Sequence, residues 1–139
     1  MLNGRLQHPD ILAELARSGH GSKVLLCDGN YPFKTKRGPG SSLVCLNLAP
    51  GLVSVTDVLA VLVETIPIEA AAVMVPEEGP EPEIFAQFRA LMPGVALDAF
   101  GRFPFYEEAA DPHVSLAIAT GDQRLFANLL LTIGVVPPA

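Results

Sequence analysis

The segment SGHGSKVLLCDGN, residues 18–30, holds a short apolar run between two glycine-containing turns. Lys23–Cys27 predicts a buried strand, which Gly21-Ser22 and Asp28-Gly29 bound. The preceding residues, from His8 to Gly19, predict a helix because apolar side chains recur at helical spacing, with proline in the first turn. A helix followed by a buried strand is typical of α/β folds.

The rest of the chain continues this alternation. Residues 28–42 are rich in glycine and proline and predict a loop. Ser54 and Asp57 have the spacing of a capping box, which predicts the start of a helix. The predicted helices are 54–63, 81–91 and 103–109, and the further predicted strands are 43–48, 70–75, 95–99, 114–120 and 125–131. We therefore expect a single compact α/β domain, residues 1–139, in which helices flank a central, largely parallel sheet.

Composition limits the function classes. Half of the 139 residues are hydrophobic and only 17% are charged, which excludes intrinsic disorder. No apolar run approaches the roughly 20 residues that span a bilayer, so we expect no membrane partner. The net charge of −6, with one short basic cluster at Lys34, Lys36 and Arg37, argues against nucleic acid. The high apolar fraction favours self-association.

The histidine and cysteine pattern argues against a metal site. The three histidines lack metal-ligand spacing, and Cys27 and Cys45 form no CxxC pair. Two cysteines are too few for a disulfide framework, and no signal sequence opens the chain. We therefore expect a protein of the reducing cytoplasm.

His20 and Asp28 bracket the first strand and are the first residues suited to chemistry. His20 lies between two glycines, and an accessible imidazole moves protons near neutral pH; the alternative is a helix cap whose side chain faces water. Asp28 ends the strand, where ligands of α/β folds gather; the alternative is an Asx-turn. We expect the loop to bring both side chains toward one pocket.

Three later residues carry groups that bind hydroxyls. Arg102 offers fixed donors, although it could instead pair with a neighbouring glutamate on the surface. Tyr106 is either a pocket wall with a polar tip or a half-buried core residue. Asn128 supplies both a donor and an acceptor, although it could serve only the turn backbone.

Several segments, in order, resemble one family. They are Gly19-His20-Gly21, the strand into Cys27-Asp28, Phe103-Pro104-Phe105-Tyr106-Glu107, and Thr120-Gly121-Asp122 leading to Ala127-Asn128-Leu129-Leu130. The chain thereby resembles the small sugar isomerases that include L-fucose mutarotase and D-ribose pyranase, the RbsD/FucU family, and is nearer to the fucose branch.

The resemblance implies a cofactor-free isomerase that interconverts the anomers or ring forms of a monosaccharide such as L-fucose. It also implies an α/β fold, a ring-like homo-oligomer (a decamer of pentameric rings) and sites near subunit contacts. The family's proton-donating histidine falls on His20 and its sugar-binding aspartate on Asp28, a second catalytic group. Further sugar-binding positions fall on Arg102, Phe126 and Asn128, and we add Tyr106 to this set.

Phe126 departs from the family pattern, which has tyrosine there. Tyr106 or Tyr31 could supply the missing hydroxyl, or the preferred sugar could differ. The departure keeps a second hypothesis open, a non-catalytic sugar-binding or sensing protein on the same scaffold. A third, a purely structural assembly role, rests on the apolar composition alone. The basic loop around Lys36 makes an acidic or phosphorylated sugar conceivable, beside the simpler explanation of a solvated loop.

Overall fold

The computed structural model describes residues 1–139 as one α/β domain with four helices and six strands. In chain order, the elements are α1 (Pro9–Arg17), β1 (Lys23–Cys27), β2 (Ser42–Cys45), α2 (Val55–Leu62), β3 (Ile68–Met74), α3 (Ile84–Leu91), β4 (Leu97–Phe100), α4 (Arg102–Ala109), β5 (Val114–Ala119) and β6 (Leu129–Ile133).

The six strands form one mixed sheet in the order β2-β5-β1-β6-β3-β4. β6 runs antiparallel to both of its neighbours, β1 and β3, whereas the other pairings are parallel. The expectation of a largely parallel sheet is confirmed for five of the six strands, which run in one direction, and β6 makes the sheet mixed. The connection from β5 to β6 spans residues 120–128 and contains no helix. This connection is too short for the crossover that would bring β6 back into the sheet parallel to β5. β6 therefore runs antiparallel to β5 and to the strands parallel to β5.

Most predicted elements are present, with shifted ends. The capping box is confirmed: the Ser54 hydroxyl accepts from the Asp57 backbone N–H at 3.0 Å, and the Asp57 carboxylate accepts from the Ser54 N–H at 2.9 Å. The strand predicted over 125–131 begins only at Leu129. Phe126 has φ 60°, in the left-handed region, which is incompatible with an extended strand.

Hydrophobic side chains pack on both faces of the sheet. α1, α2 and α3 cover one face, where Val24 and Leu26 of β1 join the larger core. α4 covers the other face with Phe105 and Ala109, against Leu25 and Cys27 of β1. This alternation follows from the two-residue period of a strand. β1 is therefore buried on both sides, and only its two ends are available for chemistry.

The antiparallel direction of β6 positions the polar residues at one sheet edge. Leu26 of β1 pairs with Leu129 of β6. The residue that precedes β6 therefore lies beside the residues that follow β1, which brings Asn128 to Asp28. No helix is both long and apolar enough to span a bilayer.

Candidate active site

A cavity of about 290 Å³ lies at the carboxyl end of β1. Five residues singled out from the sequence line it: Asp28, Arg102, Tyr106, Phe126 and Asn128. They come from three places, the end of β1, the first two turns of α4, and the connection from β5 to β6. The remaining lining residues are Asn30, Tyr31, Met74 and Leu125.

Asp28 and Asn128 form the buried floor of this cavity and are only 4% and 3% exposed. The Asn128 side-chain amide accepts from the Asp28 backbone N–H at 2.9 Å and donates to the Asp28 carboxylate at 3.1 Å. The other carboxylate oxygen accepts from the Asn30 N–H at 2.9 Å, which is the Asx-turn considered as the alternative for Asp28. Asp28 therefore forms the Asx-turn and also lines the cavity.

Burial sets the proton affinity of Asp28. Desolvation raises the pKa of this carboxyl above its ordinary value, and the hydrogen bonds from Asn30, Tyr31 and Asn128 offset only part of the increase. No cation lies within ion-pairing distance of Asp28. A carboxyl whose pKa moves toward neutrality is better matched to proton transfer in either direction.

Arg102 and Tyr106 form the cavity's wall on α4. The Arg102 Nε–H donates to the Tyr106 hydroxyl at 3.1 Å, and the guanidinium lies 5.7 Å from the Tyr106 ring centre. Four residues separate the two side chains, which places them on one helix face. No ion pair joins Arg102 to Glu107 or Glu108, and Glu108 lies 3.9 Å from the Lys23 ammonium. The surface-pairing alternative for Arg102 is not what the structure contains.

The two tyrosine hydroxyls of the cavity differ in availability. The Tyr31 hydroxyl donates to the Lys36 carbonyl at 2.6 Å, so its proton is engaged. Burial also raises the pKa of Tyr31 well above its ordinary value. The Tyr106 hydroxyl accepts from Arg102 and keeps its own proton free to donate. Tyr106 therefore supplies the available phenolic donor.

Phe126 separates this cavity from a second one of about 510 Å³, lined by the segment 76–87 and Arg124. Its left-handed backbone is costly for a bulky residue and is held by the surrounding structure. The buried Ala127 and Asn128 follow directly. The half-buried Phe126 ring packs against the core that includes Phe105 and Leu130, and the Asn128 amide is buried at the cavity's floor.

His20 lies elsewhere. It precedes β1, whereas Asp28 follows it, so the length of this five-residue strand, roughly 17 Å, lies between them. The expectation that one chain brings both side chains into one pocket is therefore wrong. The His20 Nε2 lies 3.0 and 3.1 Å from the two carboxylate oxygens of Glu69, at the start of β3. The imidazole is more than half exposed, 58%.

Glu69, Asn30, Met74 and Leu125 were not predicted from the sequence, whereas Tyr31 was considered there as a source of a hydroxyl. The available signal for Glu69 was a single carboxylate within an apolar strand, Ile68–Met74. Met74, Asn30 and Leu125 carried no such signal, since their roles depend on where the strand ends meet. No group of three or more His, Cys, Asp or Glu side chains is arranged around a possible metal ion.

The segment Thr120-Gly121-Asp122 supports the same edge of the sheet. The Asp122 carboxylate accepts from the Val55 N–H at the start of α2, at 2.9 Å, and from the Arg124 guanidinium at 2.7 Å. A side chain at Gly121 would collide with the carbonyl oxygens of Ala49 and Leu52, so only glycine fits. The segment joins α2 to the cavity's floor.

The chain is similar over its length to known proteins. A family model described as the RbsD / FucU transport protein family matches residues 1–136. Fucose mutarotase of Danio rerio is 31% identical, with 94% of this chain and 90% of that protein covered. Human fucose mutarotase is 30% identical with the same coverage.

Solved structures are similar in fold. The fucose mutarotase of Streptococcus pneumoniae in complex with L-fucose superposes with a TM-score of 0.80, at 26% identity over 94% of each chain. RbsD of Bacillus subtilis in complex with D-ribose superposes with a TM-score of 0.81, at 22% identity over 99% of this chain and all of that one.

Proposed function

Because the chain belongs to the RbsD / FucU family, we propose that it is an isomerase, a mutarotase that interconverts the anomers of a reducing monosaccharide without a cofactor. L-fucose is the first substrate to test, since relatives covered over nine tenths of their length are named fucose mutarotase. D-ribose ring interconversion is the second. The observation that carries the proposal is the cavity in which Asp28, Asn128, Arg102 and Tyr106 converge.

The chemistry needs two proton transfers. A base removes the proton of the anomeric hydroxyl while an acid protonates the ring oxygen, and the bond between C1 and the ring oxygen breaks. The open aldehyde then rotates about the C1–C2 bond, and the reverse transfers close the ring on the other face. Asp28 suits one of these transfers, since burial raises the pKa of its carboxyl.

His20 suits the other transfer, but its own chain's cavity lies beyond its reach. We therefore place the His20 of one copy at the cavity of a neighbouring copy in a ring-like homo-oligomer, with a decamer of pentameric rings as the expected form. Exposed apolar side chains support an interface at the cavity's rim: Phe103 is 66% exposed and Leu125 is 69% exposed. Burying such side chains between copies is favourable.

The other cavity residues bind the sugar in this proposal. Arg102 and Asn128 hold hydroxyl groups, Tyr106 donates its free phenolic proton, and Phe126 packs its ring against the apolar face of the sugar. Since Cys27 and Cys45 are both free thiols, we place the enzyme in the cytoplasm.

Saturation-transfer NMR on L-fucose and D-ribose tests the activity. The purified protein is expected to accelerate anomer exchange, and His20→Ala and Asp28→Asn are each expected to slow it by about 10²-fold or more. A loss of less than tenfold for His20→Ala would remove this residue from its role.

Mixing the two inactive variants tests the shared site. After joint dissociation and reassembly, about a quarter of randomly assembled sites would combine an intact His20 with an intact Asp28. Recovered exchange is expected if the two groups come from different copies. No recovery in a demonstrably mixed oligomer would contradict the shared site.

Phe126 favours a second candidate function, a non-catalytic sugar-binding or sensing protein. Calorimetric binding of a sugar, with exchange no faster than in buffer, would support this alternative. Phe126→Tyr would then be expected to introduce exchange activity if the hydroxyl is what the scaffold lacks.

A further inference from the structure

Four positive charges of the chain have no carboxylate partner, and two of them lie beside Tyr106, a residue of the cavity wall. The chain has nine Lys and Arg residues against fifteen Asp and Glu residues, for a net charge of −6. Five of the nine have a carboxylate within 4.0 Å: Arg5, Arg17, Lys23, Arg89 and Arg124. The other four have none and lie in the loop after β1 or in the first turn of α4: Lys34, Lys36, Arg37 and Arg102.

Two of these four approach the same wall of the cavity. The Lys36 ammonium lies 6.0 Å from the Tyr106 ring centre, and the Arg102 guanidinium lies 5.7 Å from it. Both side chains are exposed and Arg102 lines the cavity, whereas the carboxylate of Asp28 is buried on the cavity's floor. Two positive charges thus lie beside the Tyr106 wall of a cavity whose floor is the buried pair of Asp28 and Asn128.

The position of Lys36 is fixed by its backbone. Its carbonyl accepts the proton of the Tyr31 hydroxyl at 2.6 Å, and Tyr31 packs edge-to-face on Tyr106 with ring centres 5.5 Å apart. The loop is therefore anchored where it crosses the cavity's wall, which reduces the entropy lost when Lys36 binds a ligand. Although acidic residues outnumber basic ones in this chain, the Lys36 ammonium has no carboxylate partner. It can therefore pair with a negatively charged ligand.

We propose that the preferred substrate is an anionic monosaccharide, whose carboxylate or phosphate group lies between Lys36 and Arg102 while its ring hydroxyls face Asp28 and Asn128. This inference rests on the proposed mutarotase function and specifies its substrate class. A cavity of about 290 Å³ holds one sugar unit and its charged group. Lys36 determines specificity, since it meets the charge and none of the reacting atoms.

Matched sugars test the proposal by saturation-transfer NMR. D-galacturonate is compared with D-galactose for the carboxylate, and D-glucose 6-phosphate with D-glucose for the phosphate. We expect kcat/KM for the anionic member of at least one pair to exceed that of the neutral member by about fivefold or more, at low ionic strength. Added salt is expected to reduce this preference and leave neutral-sugar exchange unchanged.

Lys36→Gln is the decisive variant, and Lys34→Gln is its matched control. Both remove one positive charge from the same loop, but only Lys36 lies against Tyr106. Lys36→Gln is expected to raise KM for the anionic sugar about fivefold, with neutral-sugar exchange changed less than twofold. Equal effects of the two variants, equal rates for both members of both pairs, or an equal loss on neutral sugars would overturn the proposal.

The outcomes separate this inference from the proposed function. If the protein accelerates exchange of neutral sugars and shows no preference for anionic ones, the proposed mutarotase function stands and the proposed anionic substrate is rejected. If no sugar exchanges faster than in buffer, the proposed mutarotase function is rejected. Calorimetric binding of D-galacturonate and D-glucose 6-phosphate then tests the anionic site independently of catalysis. Binding that is weakened by Lys36→Gln and not by Lys34→Gln supports it, and the absence of binding rejects it.

Discussion

The side-chain amide of Asn128 is bonded at both ends to Asp28, one hundred residues earlier in the chain: its oxygen accepts from the Asp28 backbone N–H at 2.9 Å and its nitrogen donates to the Asp28 carboxylate at 3.1 Å. Both residues are buried. This pairing fixes the orientation of the carboxylate in the cavity and joins the ends of β1 and β6.

Asn128→Ala is therefore expected to affect stability and activity together. It leaves the Asp28 N–H without a partner in a buried place, which costs about 1–3 kcal/mol of unfolding free energy. Exchange should also fall, because the carboxylate loses the group that orients it. Urea unfolding at a fixed protein concentration and exchange NMR measure the two effects. Gln123→Ala, an exposed amide in the same connection, is the control and should change neither.

Asp28→Asn is expected to change the pH dependence of stability. Folding raises the pKa of Asp28, so the native protein holds this proton more tightly than the unfolded chain does. Between the unfolded and folded pKa values, the wild-type protein therefore gains stability from this group as the pH falls. At pH values above the folded-state pKa, Asp28 is charged in both states, and burial of its charge lowers the free energy of unfolding by the full amount.

The urea midpoints of wild type and Asp28→Asn are measured at pH 7 and at pH 4. The gain is the change in the difference between the two proteins' midpoints from one pH to the other. Other titrating groups are common to both proteins and cancel. We expect wild type to gain on the variant toward pH 4, and an unchanged difference would contradict the effect of burial. Asp98→Asn, an exposed carboxylate of β4, is the control.

The sequence supports prediction of the cavity better than prediction of the sheet. Asp28, Arg102, Tyr106, Phe126 and Asn128 all line one cavity, as a shared site requires. Family-like motifs and the rule that ligands gather at strand ends were sufficient to select them. Their roles in catalysis and binding remain predictions.

Strand direction and the place of His20 depend on features that local patterns do not contain. An apolar run has the same period in either direction, so β6 was recognised as a strand without its orientation. The short helix-free connection before β6 was the available signal for the antiparallel direction. The two ends of a buried strand cannot share one pocket within a chain, so the length of β1 was the available signal that His20 and Asp28 lie apart.

Glu69 is expected to position His20 without touching the sugar. Both carboxylate oxygens lie within 3.1 Å of the His20 Nε2, and a charge-assisted hydrogen bond orients the ring. Glu69→Gln should lower kcat roughly three- to tenfold and leave KM unchanged. Glu69→Asp should restore part of the loss, because it returns the charge.

The pair of His113 and Asp111 is the matched control for Glu69. The His113 Nδ1 lies 2.7 Å from the Asp111 carboxylate, and the imidazole is similarly exposed. Asp111→Asn should leave exchange unchanged. A loss equal to that of Glu69→Gln would indicate a general effect of removing a surface carboxylate and not a positioning role.

Tyr106 is expected to supply the phenolic donor of the cavity, in place of the tyrosine that the family resemblance implies at position 126. Its proton is free, whereas that of Tyr31 is engaged with the Lys36 carbonyl. Tyr106→Phe should reduce exchange roughly three- to tenfold, the worth of one hydrogen bond. The double variant Tyr106→Phe with Phe126→Tyr should recover activity, since it moves the hydroxyl to another wall of the same cavity. Tyr31→Phe should leave kcat within twofold; a larger loss of kcat there than for Tyr106→Phe would reverse the assignment.

Asp122 is expected to stabilise the fold with a pH dependence opposite to that of Asp28. Burial alone would raise the pKa of this carboxyl, but the hydrogen bonds from Arg124 and the Val55 N–H together hold it below the ordinary value. A depressed pKa stabilises the native state above the unfolded pKa, and this contribution is lost as the pH falls through the folded pKa. Asp122→Asn should therefore cost about 1–3 kcal/mol near pH 7, because buried N–H donors lose their charged acceptor. In urea unfolding, the deficit of Asp122→Asn should shrink on acidification, whereas wild type should gain on Asp28→Asn over the same range. If both differences moved in the same direction with pH, burial and hydrogen bonding would not be the opposing causes that separate these two carboxylates.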